Sequence, residues 1–545
     1  MNSIALQTMW QAIRESEIYE RVRRQEAVVQ GGDVVSVLDS AITHLTGGLP
    51  VSTGNAAHEM AAQATTIPRQ RVTLPSLGLR VSERRLMLFM VDVVLVNLAL
   101  LGTAILFTDQ IRSLSLAGDN IKWFMTLSVV WFATASFFDC YNLARAASTW
   151  ASVRNTAFAA ACAVGVYAVI PVLSMPLVSR GSIFFQLGVT ISLVMIWRAV
   201  YARVFVQPWF QQRALVVGAG KAGRALAAAL KTASCDEANP CRGTGYQLVG
   251  FVDDDRSRHS ESIEDVTVLG DHHGLAELAR GLHIDEIVLA ITHRQAISDD
   301  LLEELLRCRE QGLRVVTMAT VYERLVGRVP IEHAGRDLVT VLPMHDNAGE
   351  RAYQALKRGM DLTAVAAGLS AMFIVVPFIA LVNALTSPGP LFYKQRRVGQ
   401  GGQIFEMYKF RSMRPDAERG TGAVWACTRD DRITPVGRFV RKTRLDELPQ
   451  FINVLKGEMS LIGPRPERPE FVTALSLIVP FYRARHAVKP GITGWAQIRY
   501  GYGNTAQHAH VKLEYDLYYV KHASPLLDMT IILQTLPVMA LGKGT

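Results

Sequence analysis

Hydrophobic and polar positions divide the chain into stretches of different character. Residues 1–80 are polar and low in aromatics, with a Gly/Ser/Thr/Ala-rich stretch from about Thr46 to Thr66, which predicts a partly disordered extension. Four apolar segments follow: Leu86 to Phe107, Ile121 to Phe138, Thr156 to Met175 and Ser182 to Val206. Each approaches or exceeds the ~20 residues a helix needs to cross a bilayer. From Ala214 to Val217 a short apolar strand leads into Gly218-Ala219-Gly220-Lys221-Ala222-Gly223 and a helical Ala/Leu run. Further strands, Tyr246 to Val252 and Glu286 to Ile291, alternate with helices and predict a doubly wound nucleotide-binding fold. A fifth apolar stretch, Leu362 to Leu385, opens the last third of the chain.

Composition supports the membrane reading, since 50% hydrophobic against 19% charged residues is rich for a soluble chain of 545 residues. Arg80, Arg84, Arg85, Arg145, Arg154, Arg198, Arg203 and Arg213 fall on one side of the four segments, which predicts that both ends of the bundle are cytoplasmic. The net charge of +9 suits nucleic acid, anionic headgroups or a phosphorylated substrate equally well. The six cysteines (140, 162, 235, 241, 308 and 427) form no framework and are expected to be unpaired thiols. The first residues carry acids and no apolar run, so no cleaved signal peptide is expected.

The glycine spacing at Gly218, Gly220 and Gly223 suits a pyrophosphate at a helix N-terminus, and the acids after Val252 suit a ribose. No dehydrogenase dyad or second substrate domain follows, so a retained fold without catalytic use is preferred there. The fifth stretch holds Val376-Pro377 and is flanked by Lys357 and Arg358 before it and by Lys394, Arg396 and Arg397 after it. A segment bent at the proline and returning to the same face keeps both basic clusters at anionic headgroups.

Dense local motifs follow: Gln395-x-Arg397-x-Gly399, Lys409-Phe410-Arg411-Ser412-Met413, Leu445-Asp446-Glu447-Leu448-Pro449-Gln450, Asn453-Val454-Leu455-x-Gly457, Gly463-Pro464-Arg465-Pro466 and Lys489-Pro490-Gly491-Ile492-Thr493-Gly494-Trp495. Asp446 and Glu447 are adjacent acids behind Arg438, Arg441, Lys442 and Arg444. Such cations and a helix N-terminus are expected to keep Asp446 ionised and to draw a phosphate to it.

In this order the motifs resemble the bacterial sugar transferase family, the large monotopic phosphoglycosyl transferases. The fold implied is a multidomain membrane protein. It comprises a four-helix transmembrane bundle at 81–206, a Rossmann-like α/β domain at 207–345 and a C-terminal mixed α/β catalytic domain at 350–545 whose re-entrant membrane helix covers 351–386. The resemblance implies Asp446 as nucleophile and Glu447 as its partner, the latter binding a metal or assisting a lipid phosphate. It implies Pro464, Arg465 and Pro466 in the uridine nucleotide site, and Lys409, Arg411 and Arg441 as phosphate contacts. Mg²⁺ held by Asp446 and Glu447 is the expected cofactor. Lys357, Arg358 and Asp361 are expected at headgroups. The aromatic stretch from Leu513 to Tyr519 suits an interfacial belt or ordinary packing, and Leu526 to Leu541 suits an amphipathic helix lying on the membrane.

The activity so implied moves hexose 1-phosphate, glucose 1-phosphate by preference, from a UDP-sugar to undecaprenyl phosphate. Its setting is the inner membrane, with the catalytic domain cytoplasmic and exopolysaccharide or capsule synthesis begun. Expected partners are the UDP-sugar, the polyprenyl phosphate, the membrane and a second copy as homodimer, with no nucleic acid. Competing readings are an NAD-dependent nucleotide-sugar dehydratase, resting on Gly218, Gly220 and Gly223, and a non-catalytic assembly scaffold.

Overall fold

The computed structural model describes residues 81–107, 120–170, 173–175, 180–207, 210–234, 243–334, 341, 348–414, 417, 432–501, 503 and 505–540. The extension expected over residues 1–80, together with Cys235 and Cys241, lies outside them.

The apolar segments form helices α1 (Val81–Phe107), α2 (Ile121–Phe137), α3 (Thr149–Val169) and α4 (Arg180–Val200), the last continuing into a π turn at Tyr201–Phe205. They close a ring in which each helix packs on the next and α4 returns to α1. Val96, Leu100, Leu127, Trp131, Ala160 and Ala163 fill its centre. Leu86, Met90, Val129, Phe184 and Ile196 face outward, so the helices are apolar on both sides. α1, α3 and Gly181–Phe205 are long and apolar enough to cross a membrane, whereas α2 has 17 residues, about 26 Å. The third helix begins at Thr149 rather than Thr156, since its opening residues include Thr149, Ser152, Arg154 and Asn155, which hydropathy does not register as part of an apolar segment. Arg198, expected on a basic flank, is instead wholly buried: it pairs with Asp92 and donates to the Cys140 carbonyl at 3.0 Å. A guanidinium withdrawn from water in this way needs such partners.

The middle of the chain forms β1 (Gln212–Val217), α5 (Lys221–Ala233), β2 (Tyr246–Val252), β3 (Ser262–Ile263), β4 (Val266–Gly270), α6 (Leu275–Gly281), β5 (Glu286–Leu289), α7 (Asp299–Glu310), β6 (Arg314–Thr317) and α8 (Met318–Val326). The sheet order is β3-β4-β2-β1-β5-β6, parallel except at the β3 edge. Strand order reverses about β1, as the doubly wound reading requires.

The last third comprises α9 (Ala348–Thr386), β7 (Phe392–Val398), β8 (Ile404–Phe410), α10 (Pro435–Lys442), α11 (Gln450–Lys456), β9 (Ser460–Ile462), α12 (Pro469–Ile478), β10 (Gly491–Thr493), α13 (Trp495–Arg499), α14 (Ala506–His522) and α15 (Pro525–Ala540). α9 is one helix of 39 residues that continues through Pro377, not the two returning arms expected from the proline. One flank of it is covered along its length. Val365 packs with Phe405 and Met407, and Ile379 with Phe410 and Val440. At Gly368 a Cβ would come 2.3 Å from the Phe451 ring, so glycine permits the close approach of α11. Phe373, Ile374, Phe378, Leu381 and Leu385 on α9 remain exposed.

The charges at the start of α9, expected at headgroups, bond to protein groups. Lys357 pairs with Asp528 at 2.9 Å, Arg358 donates to the carbonyls of Val454 and Leu455, and Asp361 accepts from Ser460 Oγ and Leu461 N. Their partners lie far ahead in sequence, where local reading has no access. α15 likewise does not lie free on a surface: it packs on α2, and its Asp528 is fully buried against Lys357, Tyr353 and Tyr519. Of the two expectations for the aromatics, packing holds for Trp495, which stacks on Tyr518 and donates from Nε1 to the Gly327 carbonyl at 2.7 Å.

Candidate active site

Thr434 caps α10 by accepting from Gly437 N, with Pro435 in the first turn where its missing N–H costs nothing. The helix stops at Thr443, and Arg444 adopts φ +58°, a left-handed conformation that costs a non-glycine residue roughly 1–2 kcal/mol. That reversal starts a 3₁₀ turn, Leu445–Glu447, which turns both acids inward. Asp446 and Glu447 are each only 8% exposed, so their charges meet protein groups and not water. Pro449 then caps α11. The acids thus sit before α11 in a separate turn, not in its first turn.

Three elements converge on the acids. β8 packs on the 3₁₀ turn and supplies the half-buried Lys409. The loop after β9 supplies Arg465, whose Nη2 lies 2.8 Å from Glu447 Oε1, and Arg444 reaches the same oxygen at 3.3 Å. Asn453, fully buried, accepts from Tyr408 N and donates to the Glu406 carbonyl and to Glu458, locking β8 to α11 beside the site.

The two acids are electrostatically unlike. Burial raises the Glu447 carboxyl, but Arg465, Lys409 and Arg444 outweigh it and hold the group down at about 2. Burial raises Asp446 as well, and there Lys409, Arg465 and Arg441 only partly oppose it while Glu447 adds to it. Cations and a helix end were expected to keep Asp446 ionised; burial works against them there, and Glu447 is the acid they hold down. Burial, with Arg465 next, lowers Lys409 to about 8. Asp446 makes no hydrogen bond among the described residues. It is a buried carboxylate facing cations that do not bond it, which suits it to meet an incoming phosphorus.

Pro464-Arg465-Pro466 is held from behind. The Pro464 carbonyl accepts from Gly491 N at 3.0 Å, that of Arg465 from Arg485 at 2.9 Å and that of Pro466 from Arg397 at 2.8 Å. A small open cleft beside the loop is lined by Arg465, Glu467, Arg485 and His486 among others. Lys409, Arg441, Arg465 and the two prolines thus belong to one neighbourhood with the acids. Arg411 has its Nη1 buried with no hydrogen bond among the described residues, while its Nη2 is engaged away from the acids. It bonds Asn383 at 2.8 Å and the Ser387 carbonyl, tying the end of α9 to β8. The pairing of Arg485 with Asp516 is not legible in the sequence, because it joins positions about thirty apart. His508 sits on α14 with its Nδ1 2.7 Å from the Tyr500 hydroxyl.

In the Rossmann-like domain Gly218 has φ +107°, and a Cβ on Gly223 would come 2.1 Å from the Gly218 carbonyl. Both glycines are thus explained by the packing of α5 on β1. Asp253, expected to meet a ribose, instead accepts from Ala219 N at 2.6 Å and pairs with Arg258 at 3.1 Å. The Asp253 carboxylate thus holds the Gly218-Ala219-Gly220 loop onto the end of β2.

A model of the family described as bacterial sugar transferase matches residues 352–542, and one described as CoA-binding domain matches residues 136–307. Among curated proteins, the chain is 42% identical over 251 residues to an Aeromonas hydrophila UDP-N-acetylgalactosamine-undecaprenyl-phosphate N-acetylgalactosaminephosphotransferase, covering 45% of this chain and 58% of that one. It is 33% identical over 288 residues to a Xanthomonas campestris pv. campestris UDP-glucose:undecaprenyl-phosphate glucose-1-phosphate transferase, covering 52% and 59%. It is 41% identical over 198 residues to the exopolysaccharide production protein PSS of Rhizobium leguminosarum bv. phaseoli, covering 35% of this chain and 98% of that one. The chain thus spans less than two thirds of the first two relatives' own length. With the motifs of the last third in this order and a relative matched almost end to end, the chain belongs to the bacterial sugar transferase family.

Proposed function

We propose that this protein transfers hexose 1-phosphate from a UDP-sugar to a polyprenyl phosphate such as undecaprenyl phosphate, in the inner membrane and on its cytoplasmic face, and so begins exopolysaccharide or capsule synthesis. The observation that carries the reading is the unlike pair: Glu447 pinned by two arginines, and beside it Asp446, buried and without a hydrogen bond among the described residues.

Asp446 attacks the β-phosphorus of the donor. The bond from that phosphorus to the bridging oxygen breaks, UMP leaves with the electron pair, and the sugar phosphate remains as an acyl phosphate. The lipid phosphate then attacks the same phosphorus and releases Asp446. Burial destabilises the free carboxylate, which favours forming the acyl phosphate, and Lys409, Arg465 and Arg441 neutralise the diphosphate as it docks. Glu447 orients Arg465 and Arg444 through its ion pairs. Pro464, Arg465 and Pro466 are the residues that would contact the nucleotide end. Adjacent buried carboxylates fit Mg²⁺, whose octahedral shell is commonly completed by phosphate oxygens, so Asp446 and Glu447 are the residues that would hold it. When bound, the ion supplies charge neutralisation at the diphosphate.

For the donor, glucose is the expectation, while the higher identity to the N-acetylgalactosamine relative than to the glucose relative favours a second reading. UMP release from a panel of UDP-sugars decides between them. The mechanism is tested by exchange of labelled UMP into the UDP-sugar without lipid. Wild type should catalyse it and Asp446→Asn should not; exchange that persists in the variant places the nucleophile elsewhere.

A further inference from the structure

Neither Arg485 nor Asp516 was given a role in the site above, yet they form a nearly water-free ion pair of this domain. Arg485 Nη2 meets Asp516 Oδ2 at 2.7 Å, with side chains 7% and 3% exposed. The same guanidinium donates through Nη1 to the Tyr482 hydroxyl at 2.8 Å and through Nη2 to the Arg465 carbonyl at 2.9 Å. Asp516 stands on α14 and Arg485 in a 3₁₀ turn at Tyr482–Ala487, so two elements distant in sequence meet behind one peptide.

That peptide belongs to the residue whose guanidinium reaches Glu447. Prolines on either side of Arg465 fix φ at positions 464 and 466, and all three carbonyls of the stretch are bonded. Two of the three anchors are backbone or partly buried groups at the ends. The central one, at Arg465 itself, depends on Arg485, and Arg485 is held by a carboxylate. A buried ion pair need not stabilise a fold, because desolvation offsets its attraction, and an apolar pair would fill the same space. What an ion pair supplies here, and an apolar pair would not, is a directed donor on the Arg465 carbonyl.

We infer that Arg485 and Asp516 are positioning residues that fix the Arg465 backbone so that its guanidinium addresses Glu447 and the donor's phosphates at once. The inference rests on the function proposed above. Asp516 acts through Arg485, and Arg485, which lines the cleft beside the loop, acts on Arg465 by the bond to its carbonyl.

The test is a double-mutant cycle in the full-length, detergent-solubilised protein, with two readouts: kcat/KM for UMP release and the Kd for UMP by calorimetry. Asp516→Asn keeps the size, and Arg485→Lys keeps the charge but loses the fork that bonds three partners. Each should lower kcat/KM and weaken UMP by about tenfold, the scale of one charge-assisted bond. In an Arg465→Ala background each should cost less than about twofold, because the group they position is gone. Equal losses in both backgrounds overturn the inference, since a general packing defect does not depend on Arg465; so does a folded Arg485→Lys protein with unchanged values. Should Arg485→Lys fail to fold, Asp516→Asn carries the cycle alone. Wild type that binds UMP but releases none from any UDP-sugar defeats the proposed function instead, and the Kd cycle still decides the inference.

Discussion

At the residue scale, the site sets an acid held high beside a base held low. Lys409 is poised at about 8, while Asp446 lies above its ordinary 3.8. The profile of kcat/KM reports the free enzyme's groups, so two limbs should bracket its optimum. Asp446 must be ionised to attack, so activity should fall as pH drops through a pKa above the usual aspartate value. Lys409 must be charged to neutralise the donor, so activity should fall again as pH rises through about 8. Glu447, at about 2, contributes no limb in the working range. Lys409→Arg keeps the charge at high pH and should move the alkaline limb upward, at some loss of rate from altered geometry. An alkaline limb that stays in place in that variant would assign it to another group. Asp446 and Glu447 were legible as a pair from their motif. Their opposite titration was not, since it arises from Lys409 and Arg465, 37 positions before and 19 after Asp446.

At the element scale, α9 is held by contacts that hydropathy treats as noise. Its apolar pattern was legible as one segment, whereas Lys357, Arg358 and Asp361 read locally as a charged flank. Asp361 is 4% exposed and accepts two hydrogen bonds from β9, which carries the start of the Arg465 loop. Replacing it by alanine leaves a buried amide and hydroxyl without a partner, at about 1–3 kcal/mol. Asp361→Ala should therefore lower the thermal midpoint in micelles and slow UMP release, while binding to anionic vesicles stays unchanged. Unchanged stability with weakened vesicle binding would return Asp361 to the headgroups. Pro377 misled in the other direction. A proline inside a helix removes one hydrogen bond, and packing of Met372, Val375, Val376 and Ile379 on Phe410 and Val440 outweighs that local cost.

At the scale of the whole molecule, the question is how α9 meets the membrane. Thirty-nine residues of helix extend about 58 Å, ample to cross a hydrocarbon core of ~30 Å. Length and hydropathy alone would make it a span. Its neighbours argue otherwise, because both ends of the apolar stretch touch one body: Lys357 and Asp361 at the start bond α15 and β9, and Asn383 at the end bonds Arg411 beside β8. Between them, Val365 and Ile379 pack on that same body. A spanning α9 would drag Lys409, Arg411 and the two acids into lipid, where each charge costs at least ~2.5–3.5 kcal/mol. Shallow immersion keeps them in water and still places Phe373, Ile374, Phe378 and Leu385 in lipid. Single cysteines at the exposed positions Arg351 and Pro390, in a chain freed of its own cysteines, should therefore react with an impermeant maleimide from the same side of sealed vesicles. The compartment should also be the one reached from a cysteine in the Rossmann-like domain, at exposed Glu303, because Glu323 of α8 bonds Lys521 and His522 of α14 and ties the two domains together. Labelling of Arg351→Cys and Pro390→Cys from opposite sides would make α9 a true span and would place the candidate site away from the nucleotide supply.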